Sequence, residues 1–271
     1  ETLAGRIQIM HLETLSAEEL RKAEIDNLDD YIWKGGYPEL WANKDLEFID
    51  FFESYIKAYV ERDLKNIINI KNLVDFRRFL KIIASRVGQL LNYKGISNDV
   101  GVSDVTIRNW LSALQICGLV YLLPPYYSNI GKRFIKSPKI YFADTGLLSY
   151  LLGIESKDDF NKHILKGNIW ENMVFNELIK TENFAPGENM FFYRDSNGVE
   201  IDFLIEKNKE IILIDAKIGE IIEKRKLNFE KVLPLFHRYN TECFVASMIP
   251  DKNILKFGDY YQYNPLYTNI R

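Results

Sequence analysis

Cysteine and histidine are scarce in this chain. Its 271 residues include two cysteines, Cys117 and Cys243, and three histidines, His11, His163 and His237. Two cysteines cannot build a disulfide framework, and nothing requires an oxidising compartment. No histidine stands at ligand spacing from a cysteine or another histidine, which argues against a structural zinc site. Apolar runs fall short of the roughly 18–20 residues that a membrane span needs. No basic, apolar leader with small residues opens the chain, so the expectation is a cytoplasmic protein with no membrane partner. A G-x-x-x-x-G-K-[ST] phosphate loop is also missing. Gly131-Lys132 is followed by Arg133, and Tyr126 stands where the earlier glycine belongs. An excess of one charge is absent too, since 35 Lys+Arg face 38 Asp+Glu for a net −3. What remains is an ordinary globular composition, 47% hydrophobic and 27% charged, long enough for two or three domains.

The near-neutral total hides an asymmetry. Residues 1–84 sum to −4, residues 85–139 to +5 and residues 140–271 to −4. The basic middle owes its charge to Arg86, Lys94, Arg108, Lys132, Arg133, Lys136 and Lys139, against Asp99 and Asp104. A local basic surface between acidic flanks suits phosphate contact; solvated lysines are the plainer alternative.

Hydrophobic spacing predicts helices over residues 16–33, 45–62 and 72–92, the first opened by Ser16 with Glu19 three residues on. The middle segment has a tighter grammar. A short helix at Ile96–Val100, a Gly101-Val102 turn, an N-cap at Ser103 and a second helix ending at Gly118 make a helix-turn-helix. Strand-like runs follow at Leu119–Leu123 and Lys139–Phe142, as in a winged helix. Thr106 and Arg108, with Asp104 and Asn109, lie in the first turns of the second helix. Lys132, Arg133, Lys136 and Lys139 lie on or beside the wing, where phosphate contacts are made. A single arginine on that helix argues for weak reading of DNA sequence.

Beyond residue 146 the pattern becomes α/β. A helix is expected over residues 168–181, then strands at Met190–Asp195, Val199–Glu206 and Glu210–Lys217, the first two joined by Asn197-Gly198. A helix over 221–233 and a strand over Glu242–Ser247 complete it, before an aromatic, polar tail. Alternation puts Glu200 and Asp202 on one face and Asp215 with Lys217 on one face of the next strand. Two neighbouring carboxylates need a cation or a proton. Glu177 and Glu171 border the apolar face of the preceding helix. The bland alternative is a Glu200–Lys217 ion pair on a solvated face.

This layout resembles the PD-(D/E)XK, or restriction-endonuclease-like, nuclease superfamily: Glu177 or Glu171 on a helix, Asp202 on a strand, and Asp215-Ala216-Lys217 on the next. The resemblance implies phosphodiester hydrolysis. Asp202 and Asp215 would hold Mg or Mn, Lys217 would help the attacking water, Glu177 would complete the shell, and Glu171 and Glu200 would be secondary acids. A wider series also runs in order: Gly35-Gly36-Tyr37-Pro38, Glu61-Arg62-Asp63-Leu64, Thr106 with Trp110, Tyr141-Phe142-Ala143-Asp144-Thr145-Gly146, Trp170-Glu171-Asn172 and Glu200-Ile201-Asp202-Phe203. Together these resemble the C-terminal region of prokaryotic AAA-type ATPases that carry a domain of unknown function after the ATPase module. That resemblance implies ATP binding and homo-oligomer formation through a module upstream of Glu1, with Leu3-Ala4-Gly5-Arg6 as its last segment. The expected architecture is α+β in three parts: a helical segment over residues 1–71, a winged helix-turn-helix over 72–145 and a nuclease-like α/β domain over 146–271. The expected role is a DNA-interaction region with a nuclease site. The other reading is a non-catalytic module that binds protein or DNA and regulates the ATPase.

Overall fold

The computed structural model describes residues 12–25, 27–61, 72–126, 137–182 and 184–270. The expected first helix is broken into three pieces: α1 (Ala17–Lys22), a 3-10 turn at Leu28–Asp30 and α2 (Tyr31–Lys34). Ser16 and Glu19 form the reciprocal capping box that the spacing predicts. The break follows from Glu24, whose φ of 56° ends the helical run. Next come α3 (Pro38–Ala42), α4 (Phe48–Tyr55) with a π-helical extension Ile56–Glu61, and α5 (Leu73–Ala84).

In the middle segment α6 (Tyr93–Val100) ends at Gly101, which takes the left-handed conformation, and Ser103 caps α7 (Asp104–Ile116). Two antiparallel strands follow, β1 (Val120–Leu123) and β2 (Lys139–Phe142). Val105 and Ile116, two of the apolar residues of α7, are exposed. Lys132, Arg133, Lys136, Arg6 and part of the Glu61–Leu64 motif lie outside the described residues.

Three helices lead to the sheet: α8 (Thr145–Leu152), α9 (Lys157–Lys162) and α10 (Lys166–Glu182). β3 (Met190–Arg194), β4 (Glu200–Lys207) and β5 (Glu210–Ala216) form the expected meander. The expected helix over 221–233 shrinks to a 3-10 turn and α11 (Phe229–Val232), with Ile221 exposed. β6 (Asn240–Ala246) runs parallel to β5, and the aromatic tail adds β7 (Leu255–Phe257) and β8 (Tyr260–Tyr263). The mixed sheet has the order β3-β4-β5-β6-β8-β7.

Both sheet faces are buried, which leaves no solvated face for the bland alternative of a Glu200–Lys217 pair. Phe203, Ile205, Ile212 and Ile214 join the large core that contains Phe79, Leu114 and Trp170. Ile201, Leu204, Ile211 and Leu213 pack under Leu227, Phe229 and Phe236 on the other side. That alternation slips once, between Ile201 and Phe203. Phe191 and Tyr193 of β3 pair with Leu204 and Ile201, so β4 carries one extra residue there. A bulge of this kind re-aims a side chain. Here it places Asp202 and Phe203 toward the same side. No described helix is long and apolar enough to cross a membrane.

Two of the sequence motifs turn out to be one joint. Asp144 accepts from the Gly36 N–H at 2.7 Å, the Thr14 hydroxyl at 2.9 Å and the Gly146 N–H at 2.7 Å. A Cβ at Gly36 would lie 2.2 Å from the Leu15 carbonyl oxygen, and one at Gly146 2.2 Å from the Lys34 carbonyl oxygen. The glycines are there because backbone passes against backbone.

Candidate functional site

The bulged end of β4 and the end of β5 open onto a cleft of about 360 Å³. Glu171, Asp202, Ala216, Lys217 and Gly219 are among its walls. Lys217 Nζ lies 3.2 Å from Asp202 Oδ2 and 3.9 Å from Asp215 Oδ2. The Ala216 N–H also donates to Asp202 Oδ2, at 2.9 Å. Asp202, Asp215 and Lys217 therefore meet, as the D-x-K spacing leads one to expect, with the β4 bulge rather than strict alternation aiming Asp202.

The helical acid is Glu171, one of the two candidates. It is held through its tripeptide. Trp170 Nε1 donates to the Ala246 carbonyl on β6 at 3.2 Å. Asn172 accepts from the Phe142 N–H at 2.7 Å and donates to the Phe142 carbonyl at 2.9 Å, clamping β2 like a neighbouring strand. Between them Glu171 Oε1 accepts from the Tyr141 hydroxyl at 2.5 Å and from Lys139 Nζ at 3.0 Å.

Glu177 does not reach this place. Both of its carboxylate oxygens accept from the Ala17 N–H at 3.2 Å, and Oε1 accepts from the Tyr31 hydroxyl at 2.6 Å. Six residues further along α10, it faces the N-terminus of α1 and pins that helix. Its expected role in the shell is corrected to a structural one.

Lys139 is the second correction. Expected on the wing and facing phosphates, it is 2% exposed. Its Nζ lies 2.6 Å from Glu200 Oε1 and 3.6 Å from Asp202 Oδ1, besides Glu171. Glu200 also pairs with Arg194 at 3.0 Å, not with Lys217. The signal was present in β2. Lys139 and Tyr141 share one face of that strand by alternation, and both point at Glu171.

Electrostatics follow from burial and these partners. Burial pushes the Glu171 carboxyl up, against Lys139, which pulls it down. Burial also works to raise Asp202, but Lys217 and Lys139 outweigh it and hold that carboxyl below its ordinary value. Asp215 is pushed up to about 7 by burial and by the charge of Asp202. Burial would lower Lys217, yet Asp202 and Asp215 hold its ammonium above the usual lysine range. Lys139, too, is kept protonated despite its burial, by Glu171, Tyr141 and the two acids of β4.

The residues expected at nucleic acid are less concentrated than the +5 segment suggests. Arg86 pairs with Asp99, and Lys139 belongs to the carboxylates. Thr106 shares a hydrogen bond of 2.8 Å with Ser103, and Asp104 accepts from Ser97. Arg108 is exposed on α7, its guanidinium 3.9 Å from the Tyr93 ring centroid. That stacking fixes its aim at little entropic cost.

Comparison with known proteins adds a frame. Residues 25–158 match the family model DUF8612 and residues 166–249 match DUF4143, each described as a domain of unknown function. The chain is 31% identical over 208 residues to an uncharacterized protein of Mycobacterium tuberculosis, covering 76% of this chain and 46% of that one. An uncharacterized protein of Haemophilus influenzae is 26% identical over 229 residues, covering 79% and 54%. One from Methanocaldococcus jannaschii is 21% identical over 210 residues, covering 74% and 42%. The chain thus spans about half the length of these relatives. Among solved structures, it is similar to a half-complex of Thermococcus gammatolerans McrB AAA+ hexamers with bound McrC, at 13% identity and a TM-score of 0.26, over 74% of this chain and 49% of that one. A likeness at that score carries no argument about fold or partner.

Proposed function

We propose that this chain is the nucleic-acid-interaction region of an ATPase, built from a winged helix and a PD-(D/E)XK-like domain. The observation that carries this reading is the convergence of Glu171, Asp202 and Lys217 on one open cleft, with Asp215 beside Lys217. These are the residue types and strand positions of the nuclease resemblance, with Glu171 in place of Glu177. The ATPase association rests on the ordered motifs. The relatives are about twice as long as the match, which leaves room for an ATP-binding, oligomer-forming module.

The resemblance implies Mg or Mn at Asp202 and Asp215. The side chains as placed do not fit such an ion. Among the described residues no three His, Cys, Asp or Glu side chains group as metal ligands, and two ammonium groups already lie against the acids. The chain's own groups support phosphodiester hydrolysis in this way. Lys217 stays protonated and faces the cleft, where it stabilises charge building on a phosphoryl oxygen. Asp215 is buried and does not line the cleft; it lies 3.9 Å from Lys217 and helps keep that ammonium protonated. Asp202 fixes the Lys217 ammonium at the cleft.

Cleavage of linear, circular and branched DNA, measured in EDTA and again with Mg or Mn, tests the reading. Lys217→Met and Asp202→Asn each lower the rate by about 100-fold or more. If all three substrates stay intact under every condition, hydrolysis is ruled out. The second reading is a non-catalytic binding module, and the internal neutralisation of the acids by Lys139 favours it. DNA affinity separates the two partners left open. A steep salt dependence that flattens in Arg108→Glu, or in the double change Lys132→Glu/Arg133→Glu, identifies nucleic acid. Affinity indifferent to both identifies a protein partner.

A further inference from the structure

The carboxylates of the site already have a cation. Lys139 Nζ lies 2.6 Å from Glu200, 3.0 Å from Glu171 and 3.6 Å from Asp202. The ammonium donates to Glu171, touches Glu200 and lies at ion-pair distance from Asp202. Lys139 is not among the residues that line the cleft, whereas Glu171, Asp202 and Lys217 are. Its place is behind the acids, out of reach of a substrate.

The backbone that delivers it is fixed from both edges. The Leu91 N–H donates to the Pro138 carbonyl and the Gly88 N–H to the Ile140 carbonyl, each at 2.8 Å. Asn172 holds Phe142 at the far end of the same strand. Gly88 sits so close to Glu171 that a Cβ there would lie 3.3 Å from both carboxylate oxygens. Burying an ammonium is costly unless it is paired and hydrogen-bonded, and removing its side chain leaves Glu171 uncompensated. Around this point stand four acids, Glu171, Glu200, Asp202 and Asp215, and three bases, Lys139, Lys217 and Arg194. Little charge is left for a divalent ion to neutralise.

We infer that Lys139 is the resident cation of this site: its ammonium gathers Glu171, Glu200 and Asp202 in the role that the nuclease resemblance gives to a divalent ion. Lys139 is thus a positioning residue. The inference deepens the nuclease-like reading and rests on it for the identity of the site, but its test does not depend on cleavage.

The test uses the full chain, Mn²⁺ as the probe, and calorimetry with thermal melts. The wild type gives no saturable Mn²⁺ binding up to about 1 mM, and its Tm differs by less than about 1 °C between EDTA and Mn²⁺, as expected of an ion with no site. Lys139→Met, close in length and uncharged, lowers the Tm sharply. Adding Glu171→Gln to that variant restores part of the loss, because it removes the stranded charge. Adding Glu177→Gln restores nothing. A lysine that only fills space would show no such charge-specific rescue. If Lys139→Met does not fold, the wild-type Mn²⁺ titration and the folding of the double variants still decide. Micromolar Mn²⁺ binding by the wild type, abolished in Asp202→Asn, overturns the inference, as does the absence of rescue. Failure of DNA cleavage alone overturns the hydrolytic reading and leaves Lys139 in place.

Discussion

Glu171 and Glu177 sit six residues apart on one helix, both on its buried side, and do different things. Glu177 meets a backbone N–H, a tyrosine hydroxyl and the neighbourhood of Lys180, and is 3% exposed. Glu171 meets a buried ammonium and a tyrosine, and its carboxylate forms part of a cleft wall. The first acid closes a helix terminus and leaves nothing for a ligand. The second is one of a set of acids whose geometry is held by lysines. A buried glutamate therefore says little about chemistry until its partners are known. An acid held by a helix-terminal N–H and a tyrosine hydroxyl marks structure, and shared cations beside an opening mark a site.

The difference can be broken or sharpened by substitution. The largest effect is expected at Lys139. Lys139→Met strands Glu171, while Glu200 keeps Arg194 and Asp202 keeps Lys217, and costs about 3–5 kcal/mol in chemical denaturation, the range for removing one partner of a buried pair. Glu177→Ala comes next, at about 2–3 kcal/mol, since the Ala17 N–H and the Tyr31 hydroxyl lose a charged acceptor. DNA affinity and any cleavage per folded molecule stay unchanged in that variant. If they fall instead, the two acids are not separate. Tyr31→Phe removes one of those donors and costs about 1 kcal/mol. The smallest change in stability is expected for Glu171→Gln, because Lys139 keeps Glu200 and Asp202. In that variant the function of the cleft is lost while the fold persists, the reverse of Glu177→Ala.

Acidity gives Asp215 a signature of its own. Asp215 titrates at about 7 in the folded chain, above the ordinary carboxyl value near 3.9. Between those values the folded state holds the extra proton. The contribution of Asp215 to stability is therefore complete below about pH 4 and is lost as pH rises through 7. Denaturant midpoints measured from pH 5 to 8 should show this decline, and Asp215→Asn should flatten it. An unchanged slope in that variant would place the titration elsewhere.

Part of this was legible in the sequence. The D-x-K triplet puts Asp215 and Lys217 on one strand end beside β4, because period two is a local property. Ser16, Ser103 and the Asn197-Gly198 turn are local signals of the same kind. The choice between Glu171 and Glu177 was not local. Both border the apolar face of α10, and only the tertiary neighbours, β2 in one case and α1 in the other, assign them. Lys139 was misread for a related reason. A lysine near a predicted wing is usually solvated, and its burial follows from the docking of β2 against α10. The bulge at Asp202 leaves no mark in composition, yet it puts Asp202 and Phe203 on one side. The Gly36 and Asp144 motifs were visible singly, and only the fold joins them.

The central claim is that lysine, not metal, holds the acids of this site. Crystals of the full chain soaked in Mn²⁺ and measured at the manganese absorption edge test it most directly. The account predicts no anomalous peak among Glu171, Glu200 and Asp202, with Lys139 Nζ density within hydrogen-bonding distance of Glu171 and Glu200. A manganese peak at carboxylate-ligand distance from Asp202, with Lys139 turned away, would contradict it.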